Sequence, residues 1–101
     1  MKIALVHRRG SALDKLERTL DGEGHELVWR AHDPSEALRM VQQGGSEVVL
    51  WAVELARGER ALGALHEAAL ALPVIAIYRG EHGLADADLA LARGAALAVD
   101  V

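Results

Sequence analysis

Cysteine is absent from this sequence, which excludes disulfides, thiol catalysis and thiolate-bound metal. That absence suits a reducing cytoplasm, where the chain is expected to reside. Aromatic residues make up only 3% of the chain and hydrophobic residues 51%, so the core must be built from Ala, Leu and Val. Such a core fits helices packed on a Val-rich sheet. Positive charge is not in excess either. The net charge of −4 argues against tracking the phosphates of a nucleic acid, a task for proteins with surplus Lys and Arg. No apolar run approaches the roughly 20 residues of a membrane-spanning helix. The opening Met1-Lys-Ile-Ala-Leu-Val6 lacks the length and cleavage pattern of a signal peptide. Neither nucleic acid nor membrane is an expected partner. The 101 residues suffice for one domain, 1–101, with a single modest core.

What is present is an alternation of strand-like and helix-like segments with short connections. Lys2 to His7 is a short apolar run bounded by Arg8-Arg9-Gly10. Ser11 is placed to cap a helix from Ala12 to about Asp21, with Leu13, Leu16 and Leu20 on one face and Asp14 completing a near capping box. Gly22 and Gly24 end it. His25 to Arg30 alternates around Leu27 and Trp29 as a strand does. Asp33 as N-cap, Pro34 at the first helical position and Glu36 in the first turn open a second helix, which Gly44-Gly45 stop.

Ser46 to Leu55 reads as the third strand. Arg57 to about Leu72 carries a helical stripe at Leu62, Leu65, Ala69 and Leu72, weakened at Gly63 by about 1 kcal/mol relative to Ala. Pro73 to Tyr78 is a fourth strand with Pro at its first residue, where it is tolerated. Leu84 to Arg93 is a fourth helix with Gly94 as its C′ residue, and Ala95 to Val101 a fifth strand. The β-branched strands imply a parallel sheet buried on both faces with right-handed crossovers. The expected fold is α/β, doubly wound and flavodoxin-like, five parallel strands in the order 2-1-3-4-5 with four helices.

These segments resemble the receiver domain of bacterial two-component response regulators. More narrowly, they resemble the N-terminal receiver of chemotaxis-type protein-glutamate methylesterases. The residues that carry the resemblance are Met1 to Val6, His25-Glu-Leu-Val-Trp-Arg-Ala-His-Asp33 with Ser35-Glu-Ala-Leu38, Glu47-Val-Val-Leu50, Pro73-Val-Ile-Ala-Ile77 and Gly94-Ala-Ala-Leu-Ala-Val-Asp100. Almost the whole chain is covered, each piece being short. The resemblance implies an acidic pair after strand 1 to hold Mg²⁺ and an Asp at the end of strand 3 to accept a phosphoryl group. It also implies a Ser or Thr after strand 4 and a Lys after strand 5 to read that phosphate. The aligned positions here are His7 and Arg8, Ala52, Tyr78 and Val101, and all five depart from the pattern. A hard divalent cation wants carboxylate oxygens, and Ala52 has no acceptor for phosphate. Tyr78 is expected to plug the vacated space. Phosphotransfer is therefore excluded in this register, and a degenerate, phosphorylation-independent receiver is the expectation.

Other constellations are weaker. His7, Arg8, Arg9 and Arg79 are expected at one rim of the sheet, beside a helix start, where they would either bind an anion or form a solvated edge with Arg8 paired to Glu54 or Glu81. The histidines His7, His25, His32, His66 and His82 lie on different elements without ligand spacing, so no metal site is expected. Trp29 and Trp51 are expected in the core or an interface. No Gly-rich phosphate cradle follows strand 1, and Ser11, Ser35 and Ser46 lack His-acid partners, so neither cofactor nor catalysis is predicted.

The receiver resemblance also implies a fifth helix after strand 5, and the sequence stops at Val101. The face that helix would cover is expected to be apolar and to mediate a homodimer, or else the chain is a fragment of a longer protein. The function expected is protein binding, to a partner or an attached effector domain. The alternatives are a flavodoxin-like domain binding an anionic ligand through His7, Arg8, Arg9 and Arg79, or a purely structural assembly subunit.

Overall fold

The computed structural model describes residues 1–8 and 14–101. Along the chain run β1 (Lys2–Val6), α1 (Asp14–Gly22), β2 (Glu26–Ala31), α2 (Pro34–Gln43), β3 (Val48–Ala52), α3 (Glu59–Ala71), β4 (Val74–Tyr78), α4 (Leu84–Ala92) and β5 (Leu97–Asp100). Short 3-10 turns occupy Val53–Leu55 and Glu81–Gly83. The strands form one parallel sheet in the order 2-1-3-4-5, the doubly wound arrangement that the alternating pattern predicts. Among the described residues no helix is long and apolar enough to cross a membrane.

Local chemistry accounts for most boundaries. Asp33 is extended (φ −150°), and its side chain accepts from the Glu36 N–H at 2.9 Å, with Pro34 behind it in the first turn. Gly44, at φ +80°, ends α2 in a conformation that only glycine adopts without strain. Gly58, at φ +87°, likewise delays α3 to Glu59, two residues later than the apolar stripe suggests. The expected cap at Ser11 and helix start at Ala12 lie outside the described residues.

One boundary differs more. The third strand stops at Ala52, not Leu55, because Ala52 opposite Ile77 is the last rung of the β3–β4 ladder. The chain then tightens into a 3-10 turn, pinned by the Trp51 indole N–H donating to the Leu55 carbonyl at 2.9 Å. Trp51 is fully buried, so this bond satisfies a donor that water cannot reach.

The alternation of each strand divides the core into two layers. On one face Ala4, Val6, Val49, Trp51, Val74 and Ala76 lie under residues of α2, α3 and α4, among them Ala37, Val41, Leu62, Leu65 and Ala90. Trp29 belongs to this layer, as expected of a core aromatic. The many alanines let the helices approach closely, and each fully buried Leu or Val adds about 1.5–3 kcal/mol. On the other face Ile3, Leu5, Val48, Leu50, Ala52 and Ile77 pack with Leu16 and Leu20 of α1. Leu97 pairs with Ile75 and Val99 with Ile77, so β5 continues this second layer. The side chains here stay open: Leu97 is 48% exposed and Val99 40%, as is Val101 just past the strand at 43%.

Candidate functional site

Ligands of doubly wound sheets gather at the C-terminal strand ends, and the side chains there point to three separate environments. At the end of β3, the Ala52 methyl is buried among Leu5, Leu50 and Ile77. It offers no lone pair, charge or transferable proton. Tyr78, ending β4, packs into the opposite core layer, toward α3 and α4. Its Cβ approaches Gly83 so closely that a Cβ built on that glycine would lie 2.8 Å away. The expectation that Tyr78 fills the space beside Ala52 therefore fails. It forms one wall, and a cleft of about 290 Å³ stays open between Ala52, Val53, Glu54, Ile77, Tyr78 and Val101. Val101 is held there by its N–H, which donates to the Tyr78 carbonyl at 2.9 Å.

His7, just past β1, is buried and turned the other way. Its backbone N–H extends the β1–β2 ladder by donating to the Ala31 carbonyl at 3.0 Å. Its Nε2 lies 3.2 Å from Glu17 Oε1 on α1, and the same oxygen accepts from Arg30 Nε on β2 at 2.8 Å. The His7 carbonyl lies 2.9 Å from His32 Nδ1. A carbonyl can only accept, so that nitrogen carries the hydrogen. The two rings meet edge to face at 5.2 Å. These bonds tie β1, β2 and α1 together at one corner of the sheet.

The predicted basic rim is thus divided. β3 lies between β1 and β4, so His7 and Arg79 follow strands about 10 Å apart. His7 faces a carboxylate, while Arg79 lines the cleft near Arg57 and His82. Arg8 is exposed and bonds neither to Glu54 nor to Glu81, and Arg9 lies outside the described residues. Among the described residues no three His, Asp or Glu side chains are grouped to hold a metal ion.

Sequence patterns did not reveal Glu17, Arg30 or the cleft residue Arg57. Glu17 sits on a helical position adjacent to Leu16 and looks like any solvated acid. Arg57 joins the cleft wall while its Nε donates to Asp86 Oδ2 of α4 at 2.9 Å, a pairing across 29 residues that no local spacing encodes. Glu54 was legible as the acid nearest Ala52, but only the 3-10 turn shows where it goes: its Oε1 is buried with no hydrogen-bond partner.

No family model matches the sequence, and no curated protein matches it. Solved structures do. A CheY-like response regulator receiver domain protein from Methanospirillum hungatei JF-1 superposes with a TM-score of 0.75 at 22% identity, covering 98% of this chain and 79% of that one. A LuxR-family two-component response regulator from Aurantimonas sp. SI85-9A1 gives 0.79 at 22% identity, over 98% of this chain and 72% of that one. The signal receiver domain of a modulated diguanylate cyclase from Desulfovibrio desulfuricans G20 gives 0.79 at 16% identity, over 98% and 79%. With the strand order, these likenesses establish that the chain has the fold of a CheY-like response-regulator receiver domain.

Proposed function

We propose that this chain is a receiver-like signalling module that acts without phosphorylation and without catalysis, by binding protein. The observation that carries this reading is Ala52. At the strand end where the fold's phosphoryl acceptor would stand, there is a buried methyl group. The position that would hold Mg²⁺ is filled by His7, already facing the Glu17 carboxylate, and by the cation Arg8. Without a covalent switch, the module works by occupying a docking surface. The resemblance of its sequence pieces to receivers of chemotaxis-type methylesterases favours an effector domain as the partner, which the module would position or restrain.

The open row Leu97, Val99 and Val101 supports self-association as part of this function. Parallel sheets are normally covered on both faces. A second copy laid over β5 would remove this row from water.

The test is to incubate the protein with acetyl phosphate and Mg²⁺, and separately with beryllofluoride, following intact mass and backbone amide shifts. Neither reagent should change the mass or move the amides of Ala52, Val53 and Tyr78. A stable phosphoryl adduct, or saturable beryllofluoride shifts at those amides, would overturn the reading.

A further inference from the structure

α2 and α3 lie side by side over one face of the sheet, and two adjoining cavities follow the seam between them. The cavities share Ser35 and Arg60. One, of about 420 Å³, adds Arg39, and the other, of about 370 Å³, adds Arg57. All three arginines are exposed. Arg39 and Arg60 make no ion pair among the described residues, and Arg57 gives its Nε to Asp86 at 2.9 Å. Acids at this end of the groove are already engaged. Both Glu59 oxygens accept from Arg93, at 2.8 and 2.7 Å, and Asp33 accepts from the Glu36 N–H at the head of α2. Glu67 lines the other end, about 10 Å along α3 from Arg60. Between the charges lie Leu38, Gly63 and Ala64, and a Cβ built on Gly63 meets nothing within 4 Å. In a chain of net charge −4, one end of this groove is thus a local surplus of guanidinium.

We propose that this groove docks an acidic segment of a partner protein, its Glu or Asp carboxylates meeting Arg39, Arg57 and Arg60. An apolar side chain of the same segment lies over Leu38, Gly63 and Ala64. Such docking rests on the reading that the module acts by binding protein, and supplies its surface and its partner's chemistry. Guanidinium groups match carboxylates two bonds at a time. All three are exposed, so a partner reaches them without any part of the fold opening. The side chain that Gly63 lacks leaves room for the one that arrives. A nucleic acid fits less well, because its evenly spaced phosphates would run on from the arginines toward Glu67. A peptide can carry its acids at one end only.

Fluorescence anisotropy and amide-shift mapping of the full chain test the proposal. The probe is a short labelled peptide with glutamates around one leucine at one end and neutral residues at the other. Its controls are the same peptide with glutamine for glutamate, and an oligothymidylate of equal charge. The acidic peptide should bind saturably below about 1 mM at low salt, weaken as salt rises, and shift the amides of Ser35, Leu38, Arg60, Gly63 and Ala64. Arg39→Gln combined with Arg60→Gln should weaken it at least about fivefold, with the circular dichroism spectrum retained. Gly63→Leu, which fills the groove where α3 has room, should do the same, and Glu67→Lys should tighten binding. Arg18→Gln, on α1 across the sheet, should leave it unaltered. Absence of acidic-peptide binding would overturn the proposal, as would equal binding by either control or unchanged binding in the folded groove variants. Saturable binding with shifts confined to another surface would overturn the groove and leave protein docking standing, whereas beryllofluoride shifts would strike the docking reading itself.

Discussion

Two glycines receive opposite predictions for the same substitution. Gly63 lies inside α3, and a Cβ added there meets nothing within 4 Å. Gly63→Ala should therefore recover the helix propensity that glycine lacks, about 0.8–1 kcal/mol, partly by restricting the unfolded chain. Gly83 also has an ordinary negative φ of −88°, so an alanine would suffer no backbone strain. Its new Cβ, however, would stand 2.8 Å from Tyr78 Cβ. Neither atom yields cheaply: one would be fixed at the junction into α4, and the other belongs to a strand paired on both sides. Overpacking of this kind costs about 1–3 kcal/mol. The two variants should thus differ by about 2–4 kcal/mol in unfolding free energy. With a urea slope of about 1–3 kcal/mol per molar, their midpoints should separate by about 0.7–4 M at unchanged slope. Thermal midpoints should separate by more than about 8 °C, with Gly63→Ala above the parent and Gly83→Ala below it. If Gly83→Ala unfolds with the parent, Tyr78 is not held against Gly83 and the cleft wall is not fixed. A destabilised Gly63→Ala would mean that α3 meets a neighbour at that point.

Asp33→Ala removes the acceptor for the Glu36 N–H and should lower stability by about 1 kcal/mol in urea melts, whereas Asp33→Ser should recover most of it. Trp51→Phe loses the indole bond to the Leu55 carbonyl along with buried volume, and should be destabilised by about 1–3 kcal/mol; a near-parental melt would mean that the bond does not hold the 3-10 turn. Val99→Lys, at an exposed position of β5, should keep the monomer fold but shift sedimentation from dimer to monomer; a parent protein that stays monomeric at high concentration would refute self-association. Ala52→Asp places a carboxyl against Leu5, Leu50 and Ile77 and should lower stability by about 1–3 kcal/mol without conferring acetyl-phosphate labelling; labelling of this variant would show that the rest of a phosphoryl site is intact.

Strand and helix order was legible because each signal is local. Asp33-Pro34 announces a helix, Gly44 ends it, and β-branched runs bounded by glycines leave little choice but a parallel sheet. The sheet order follows from handedness and short connections. The candidate site was legible only by position. Ala52 was found through the receiver resemblance, since the strand itself was expected to run on to Leu55. Position does not say which way the side chain turns. His7 was assigned to a basic rim because Arg8 and Arg9 adjoin it in sequence, yet its ring is buried against Glu17 of α1. Tyr78 was assigned to the space beside Ala52 because an aromatic ring is large enough to fill it. The absence of a Cβ at Gly83 lets it pack toward α4 instead. Both are tertiary effects, decided by contacts remote in sequence.

A phosphoryl-transfer centre requires strand ends to converge, because metal, acceptor and phosphate-reading groups must meet within a few ångströms. Here those strand ends diverge. The side chain after β1 turns toward α1 and β2, where Glu17, itself bound by Arg30, faces it at one corner. The side chain ending β3 is a methyl within the layer beneath α1, and the one ending β4 enters the opposite layer against Gly83. Each is committed to a different neighbour, so on the proposed reading a carboxylate returned at Ala52 is expected to find no metal site beside it. Divergence also opens the cleft: with Ala52 short and Tyr78 drawn aside, a volume of about 290 Å³ lined by Glu54 and Arg79 stays open at this end of the sheet.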